Sequence, residues 1–365
     1  MSDSMKRNRH SPRIFGAGLV TLDIVFDGTE IQSVSHSAGG TCGNVLAALA
    51  FMGWHSTPIA RLGDDAAADA ISGDLATSGV NTDALTREPG GRSSRIAQFV
   101  IRRRTGAVRH RFAFSCPSCG TQFTKFRPPT WEQCEPFTDL GRLGAPDVFF
   151  FDRVSPSILA MAEAFRAHGS LIYFEPSGIG KLDMFVKALG LCHIVKYSRE
   201  RLHVALSDVG GVTRLASPRP RVEIETQGAD GLRFRVDTGT KNAWRWHKRD
   251  AFRVTHFRDA AGAGDWCSAG TLMQLGWKVG DDQSDLTVEA VDQALMFGQA
   301  LGALKCQHVG PRSIARVFAS DDILSSARAM QQGDSETAMS YVPAPRKVAV
   351  VATRTRHECT TCLTT

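Results

Sequence analysis

The stretch "PDVFFFDRVSPSILAMAEAFRAHGSLIYFEPSG", residues 146–178, decides the architecture. "PDVFFFD" reads as a short apolar strand, "SPSILAMAEAFRAHG" as a helix and "SLIYFEPSG" as a second strand. The rhythm continues downstream. "KLDMFVKALG" is a helix, "LCHIVKYS" a strand, and "RVEIETQGADGLRFRVD" two strands around a Gly turn. "DWCSAGTLMQLGW" and "VEAVDQALMFGQALGALKCQHVG" are helices, the second long and apolar. Strands that alternate with helices predict an α/β fold with a mostly parallel central sheet flanked by helices.

Upstream, "RIFGAGLVTLDIVF" reads as one buried strand with a Gly break, and "GTCGNVLAALAFMGW" as a Gly-rich turn entering a helix. "TPIARLGDD" is a strand and "AAADAISGDLATSGV" an amphipathic helix. "RIAQFVIRRRTGAVRHRFAF" alternates around a Thr-Gly turn, which predicts a hairpin outside the main sheet. Residues 1–12 read as disordered, 13–330 as the main domain and 331–365 as an appended tail. No internal repeat is visible.

The chain has 365 residues, a net charge of +6 and 42% hydrophobic residues, which is ordinary for a globular protein. The basic residues gather in "MKRNRHSPR", "IRRRTGAVRHR" and "RKVAVVATRTRHE". These dispersed patches fit a solvated surface better than a nucleic-acid footprint. No apolar run is long enough to span a membrane, and the N-terminus lacks the apolar core of a secretory signal. The nine cysteines are an odd number and most stand singly in apolar segments, which predicts a reducing, cytoplasmic setting.

The chemistry concentrates in "RDAAGAGDWCSAG", residues 258–270. Gly262, Ala263 and Gly264 carry almost no side chain, so their backbone N–H groups can approach an anion closely. They enter a helix whose N-terminus has unsatisfied N–H groups and partial positive charge. Asp265 stands beside this anion trap. Two readings follow: it takes a proton from an acceptor hydroxyl, or it merely caps the helix. The loop lacks the Gly-Lys-Ser/Thr ending of a Walker A motif.

"DAAGAGD" resembles the second signature, D-T-x-G-A-G-D, of the PfkB or ribokinase-like carbohydrate kinases. The resemblance covers about residues 13–320. "GLVTLDIVFDG" is similar to the family's opening strand, with Asp23 at the acid that holds sugar hydroxyls. "SAGGTCGNVLAALAFMG" resembles its first signature, G-G-x-x-x-N, with Gly39, Gly40 and Asn44 in register. "ARLGDDAAADAISGDLATSGVNT" keeps Asp65 of a G-x-D-x-x-G stretch, with Ala68 for the last Gly. "ETQGADG" resembles the nucleotide-binding turn through Thr226, Gly228 and Gly231. "MFGQALGALKCQHVG", containing Gln299, resembles the helix beside the adenine pocket.

The resemblance implies a ribokinase-like fold with a small β lid, drawn from about residues 20–38 and 92–115. It implies ATP and Mg²⁺ as cofactors and a small sugar as acceptor. Asp265 is then the general base, and Gly262, Ala263 and Gly264 the anion hole. Asp23, Gly39, Gly40 and Asn44 hold the sugar, and Thr226, Gly228, Gly231 and Gln299 the nucleotide. A homodimer through exposed lid edges follows as an expectation.

The sequence also departs from the pattern. Ala260 replaces the signature Thr. The Mg²⁺-linked N-x-x-E motif falls on "VKYSRERL". With Tyr197 at the Asn position the acid is Glu200; with Ser198 there, Arg201 stands in its place. "FEPSG" offers Glu175, a residue able to order a metal-bound water. Arg153 either faces the substrate or pairs with Asp152. Two alternatives stay open beside the sugar kinase. One is a nucleoside kinase, with Phe112, Phe114 or Trp131 around a base. The other is a degenerate, non-catalytic binding protein.

"FSCPSCGTQF" and "HECTTC" each hold a Cys-x-x-Cys pair, 116–119 and 359–362. Pro and Gly in the first shape a turn that aims two thiolates at one ion, and a structural Zn²⁺ takes four ligands. Cys116, Cys119, Cys359 and Cys362 are the candidates, with Cys134, His110 and His357 as further ones. The second pair reaches the first only if the tail folds back. An insertion of about residues 116–135 carries the first pair.

Overall fold

The computed structural model describes residues 11–27, 34–102, 108–139, 144–208, 211–239, 244–276, 285–334 and 359–363. The N-terminus expected to be disordered falls mainly on residues 1–10, outside the described residues.

Nine strands make the main sheet: β1 (Arg13–Ala17), β4 (His55–Gly63), β5 (Leu85–Glu88), β8 (Val148–Phe151), β9 (Leu171–Phe174), β10 (Ile194–Ser198), β11 (Val222–Thr226), β12 (Leu232–Val236) and β13 (His247–Arg249). Their order is β13-β12-β11-β10-β9-β8-β1-β4-β5. All neighbours are parallel up to β11; β12 and β13 run antiparallel at one edge. A second sheet of four strands has the order β3-β2-β6-β7, from β2 (Thr21–Asp27), β3 (Val34–Gly39), β6 (Arg95–Arg102) and β7 (Val108–Ala113). The stretch read as one broken strand is therefore two. β1 lies in the main sheet and β2 in the small one, with Gly18 to Val20 turning between them.

The reason for the turn is steric and polar. A Cβ at Gly18 would lie 1.7 Å from Asp152 Oδ1, and the Leu19 N–H donates to that same oxygen at 2.8 Å. The chain is thus held against the end of β8.

Helices cover both faces of the main sheet. They are α1 (Thr41–Phe51), α2 (Ala66–Thr77), α3 (Pro156–Ala167), α4 (Leu182–Leu191), α5 (Arg199–Asp208), α6 (Ala263–Leu275), α7 (Val288–Lys305) and α8 (Ser320–Gln331). Their starts follow local chemistry. Asp65 caps α2 by accepting from the Ala68 N–H, and Ser155 caps α3 by accepting from the Ile158 N–H, with Pro156 in the first turn.

Strand parity sorts the core. In "VFFF" of β8, Val148 and Phe150 join the cluster with α1, α6, α7 and α8, while Phe149 and Phe151 join the opposite cluster with α3 and α4. Leu171 and Tyr173 of β9 follow the first pair, Ile172 and Phe174 the second. Phe151 stacks on Phe174 with ring centres 4.5 Å apart. Each such Phe is fully buried, and truncating one to Ala costs about 3–5 kcal/mol. No described helix is long and apolar enough to cross a membrane.

Candidate active site

From β1 the chain builds outward to β4 and β5, then returns to β8 on the other side of β1. The strand order reverses there, and in open α/β sheets ligands bind outside the strand C-termini at such a point. The candidate residues gather at those ends: Gly18 after β1, Asp152 after β8, Glu175 after β9, Ser198 ending β10 and Thr226 ending β11.

Asp265 lies in the first turn of α6. The N-cap is Gly262, left-handed at φ 79°, and among the described residues no side chain caps the helix. The helix-cap reading of Asp265 therefore fails. Instead its Oδ2 accepts from Asn44 Nδ2 at 2.7 Å. Burial pushes the Asp265 carboxyl up to about 7, with the Glu175 charge adding to the effect; Asn44, Lys196 and Arg201 pull the other way. A carboxyl in this range is matched to proton abstraction near neutral pH.

Gly262 is fixed by its surroundings, since a Cβ there would meet Pro311 O at 2.6 Å. Gly264 is exposed. Ala263 differs from expectation: its N–H already donates to Ala260 O at 3.0 Å. The open face of the helix N-terminus is thus carried by Gly262 and Gly264 rather than by Ala263. Asp259, the first acid of the loop, is buried and accepts from the N–H groups of Ala261 (2.8 Å) and Gly310 (2.7 Å). His110 Nε2 of the small sheet lies 2.6 Å from its Oδ1. Burial opposes the Asp259 charge, but His110, Lys305 and those amides outweigh it and hold the carboxyl near 2. Asp259 is the loop's structural anchor, and through His110 it ties the small sheet to the loop.

On the small sheet, Asp23, Ser37, Gln98 and His110 share one face by register and parity. Asp23, Ser37 and Gln98 are buried, and Gln98 Nε2 lies 2.8 Å from His110 Nδ1. Burial raises the Asp23 carboxyl to about 7 against the pull of Arg312, with Asp74 adding to the rise. A Cβ at Gly39 would sit 2.0 Å from Asp23 Oδ2, so the acid occupies the space a side chain would fill. Gly40, with φ 83°, starts α1 and passes 2.2 Å from Leu19 O at its would-be Cβ. That turn places Asn44 beneath Asp265. Among the described residues, the buried Asn44 Oδ1 has no hydrogen-bond partner.

At the other end of the sheet, Thr226 Oγ1 donates to Tyr197 O at 3.4 Å. Gly228 (φ 60°) and Gly231 (φ 90°) shape the following turn, and a Cβ at Gly231 would lie 2.1 Å from Arg249 O. Gln299 on α7 has a buried Oε1 without a partner among the described residues.

Glu175 is held by two neighbours. Its Oε1 accepts from Lys196 Nζ at 2.5 Å and its Oε2 from Ser268 Oγ. Tyr197 points into the core and donates to Glu223 Oε1 at 2.6 Å, while Glu200 is exposed in the first turn of α5. Arg201 is also exposed there, close enough for its charge to act on Asp265. Arg153 pairs with Asp152 at 2.9 Å, and that pairing explains it.

Sequence reasoning passed over Lys196 and Arg312. Lys196, fully buried on β10, joins Glu175 to Gly264 O (3.1 Å) directly under the loop. A Lys in a strand otherwise buried on both faces was the available signal. Arg312 is buried beside Asp23 and donates to Ala38 O at 2.6 Å and to Asp74.

The four cysteines 116, 119, 359 and 362 come together at the small sheet. Cys134 instead packs with α3 and α4, His110 serves Asp259, and His357 lies outside the described residues.

No family model matches the chain. A curated relative, "Probable fructokinase-6, chloroplastic" of Arabidopsis thaliana, is 23% identical over 324 residues, which is 81% of this chain and 78% of that protein. Among solved structures, fructokinase with bound ATP from Xylella fastidiosa aligns at TM-score 0.64 and 20% identity, covering 88% of this chain and 99% of that one. Ribokinase from Giardia lamblia aligns at TM-score 0.67 and 14% identity with the same coverage. Aminoimidazole riboside kinase from Salmonella enterica, complexed with its riboside and an ATP analogue, aligns at 0.60 and 18%, over 87% of this chain and 99% of that one. The chain has the ribokinase-like fold.

Proposed function

We propose that the protein is an ATP-dependent phosphotransferase that phosphorylates a hydroxyl of a small sugar. The observation that carries the proposal is the Asn44–Asp265 pair at the uncapped N-terminus of α6. Asp265, with its raised pKa, takes the proton of the acceptor hydroxyl. The oxygen forms a bond to the γ-phosphorus, the bond to the β–γ bridging oxygen breaks, and ADP leaves. The amides of Gly262 and Gly264 and the positive end of the helix hold the charge on the transferring group. Lys196 fixes the loop through Gly264 O and lowers the cost of that charge.

The polar face of the small sheet supports this acceptor class. Asp23, Ser37, Gln98 and the open Asn44 Oδ1 suit the paired donors and acceptors of a polyol. ATP is supported by the unpartnered Gln299 Oε1, an acceptor suited to an amino group, and by the turn from Thr226 to Gly231. Mg²⁺ carried on the ATP phosphates neutralises charge when bound. Glu200 is exposed and can meet it; Glu175, already bonded to Lys196 and Ser268, keeps a further lone pair on each oxygen for a metal-bound water.

A nucleoside acceptor is the second reading. Phe112 lies on the same face of β7 as His110, is 53% exposed, and offers a ring for a base to stack on. A homodimer pairing β3 or β7, the outer strands of the small sheet, belongs to the same proposal, and the mass in solution tests it. The function is tested by ADP release with ATP and Mg²⁺ against hexoses, pentoses and nucleosides. A sugar that drives release supports the first reading, a nucleoside the second, and ATP binding without release for any acceptor goes against both.

A further inference from the structure

We infer that Cys116, Cys119, Cys359 and Cys362 form a structural zinc site that clips the C-terminal segment onto the root of the small sheet. The sulfur geometry carries this. All four Sγ atoms lie within 4.8 Å of one another. Cys116 Sγ is 3.9 Å from Cys359 Sγ, and Cys119 Sγ is 3.6 Å from Cys362 Sγ. Four thiolates around one Zn²⁺ at about 2.3 Å stand about 3.8 Å apart. A disulfide needs about 2.05 Å. The 3.9 and 3.6 Å separations match that spacing and are far from a disulfide bond, and four soft sulfurs select Zn²⁺ over hard cations such as Mg²⁺.

Both halves are built as turns. In the first, the Gly120 N–H donates to Cys116 O at 2.9 Å, and the Cys116 N–H to Thr121 O at 2.8 Å. Gly120 takes φ 75°, which the turn requires. In the second, the carbonyls of the tail are collected by the small sheet. His36 Nε2 of β3 lies 2.8 Å from Thr361 O. Arg95 of β6 donates from Nε to Cys362 O (2.8 Å) and from Nη2 to Leu363 O (3.1 Å). Ser118 Oγ donates to Thr361 Oγ1 at 3.0 Å, so the two halves also bond to each other.

The same Arg95 donates to Asp65 Oδ2 at 2.9 Å, and Asp65 caps α2. The clip therefore joins the tail, β3, β6 and the start of α2 at one point. Cys116 and Cys362 are buried in the apolar cluster shared by the small sheet and α2. A five-residue segment, 359–363, far along the chain from its partners, has little apolar area of its own with which to offset the entropy of closure. A metal bound by both pairs supplies that free energy, since binding to a site absent from the unfolded chain is folding free energy. The inference is independent of the proposed phosphotransfer.

The test is the metal content of the full chain, purified under reducing conditions, loaded with zinc chloride and freed of excess by gel filtration. The expected result is about one zinc per chain, released in step with modification of four thiols by a mercurial. The Cys359→Ser/Cys362→Ser variant is expected to drop to below about a tenth of that and to expose its C-terminal segment to protease. Cobalt loading of the wild type gives a check that needs no variant: the intense visible bands of a tetrahedral tetrathiolate site are expected. Wild type that holds no zinc, a variant that holds as much as wild type, or mass spectrometry showing 116–359 and 119–362 disulfides in the reduced preparation overturns the inference.

Discussion

Asn44 and Asp265 lie 221 residues apart and meet at 2.7 Å, Nδ2 to Oδ2. The contact needs two turns to be right at once. Gly40 turns β3 into α1, and Gly262 starts α6 in a left-handed conformation. The bond orients the acid, and Asn44 Oδ1 has no partner among the described residues.

The acid has a consequence for stability. Burial raises the Asp265 carboxyl from its ordinary value of 3.8 to about 7. The folded state therefore keeps a proton that the unfolded chain gives up above about pH 4. The stability linked to that proton is present in acid and lost as pH rises through 7. Asp265→Asn, neutral throughout, is expected to raise the unfolding free energy at pH 8 by on the order of 1 kcal/mol, the side chain being only half-buried, and to give no gain at pH 4. Urea unfolding at the two pH values checks it. A variant destabilised equally at both contradicts it.

Asn44 pulls the Asp265 carboxyl down in pKa by donating to it. Asn44→Leu removes the donor, so the carboxyl rises further and the acid limb of the kcat/KM profile moves to higher pH. KM for the acceptor is expected to increase about tenfold or more, through loss of the open Oδ1. A lower rate with an unmoved limb and unchanged KM goes against the assignment.

The alternation that starts at residues 146–178 disclosed the main sheet because parallel strands buried on both faces are short apolar runs set between helices. β8, β9 and β10 were legible for that reason. The division of residues 13–27 into two sheets was not, because a strand that leaves one sheet for another keeps the same apolar character; only the Asp152 carboxylate over Gly18 shows the break. Asp265 was legible through the small-residue loop before it, whereas Asn44 and Asp23 were offered only by the resemblance to ribokinase-like kinases. Lys196 was hidden, since its role depends on Glu175 and Gly264, which are distant in sequence. The engagement of Glu175 was hidden for the same reason. The cysteine quartet was legible as two pairs but not as one cluster, because nothing in the spacing says that the tail returns.

Lys196 and Glu175 form a buried pair under the loop. Lys196→Met leaves the Glu175 charge without its partner and is expected to cost about 3–5 kcal/mol of stability. The double variant Lys196→Met/Glu175→Gln removes both charges and is expected to recover most of that loss. Thermal unfolding of the two proteins checks the pairing: equal losses in the single and double variants show that the two charges are not coupled.

Gly39 leaves the space that Asp23 fills. Gly39→Ala pushes the Asp23 carboxylate aside by its Cβ, because the acid is the movable partner. Acceptor KM is expected to rise about tenfold or more while ATP binding stays unchanged. An unchanged acceptor KM places the acceptor away from Asp23.

In the proposed reaction Asp265 takes the proton of an acceptor hydroxyl held against the α6 N-terminus. Transfer of labelled γ-phosphate from ATP to the acceptor, measured in wild type and Asp265→Asn side by side, tests it most directly. A labelled sugar phosphate is expected from wild type and a rate about 10²–10⁴ lower in the variant, with ATP affinity retained. Equal transfer by the two proteins, or no transfer by wild type to any hexose, pentose or nucleoside while ATP is bound, contradicts it.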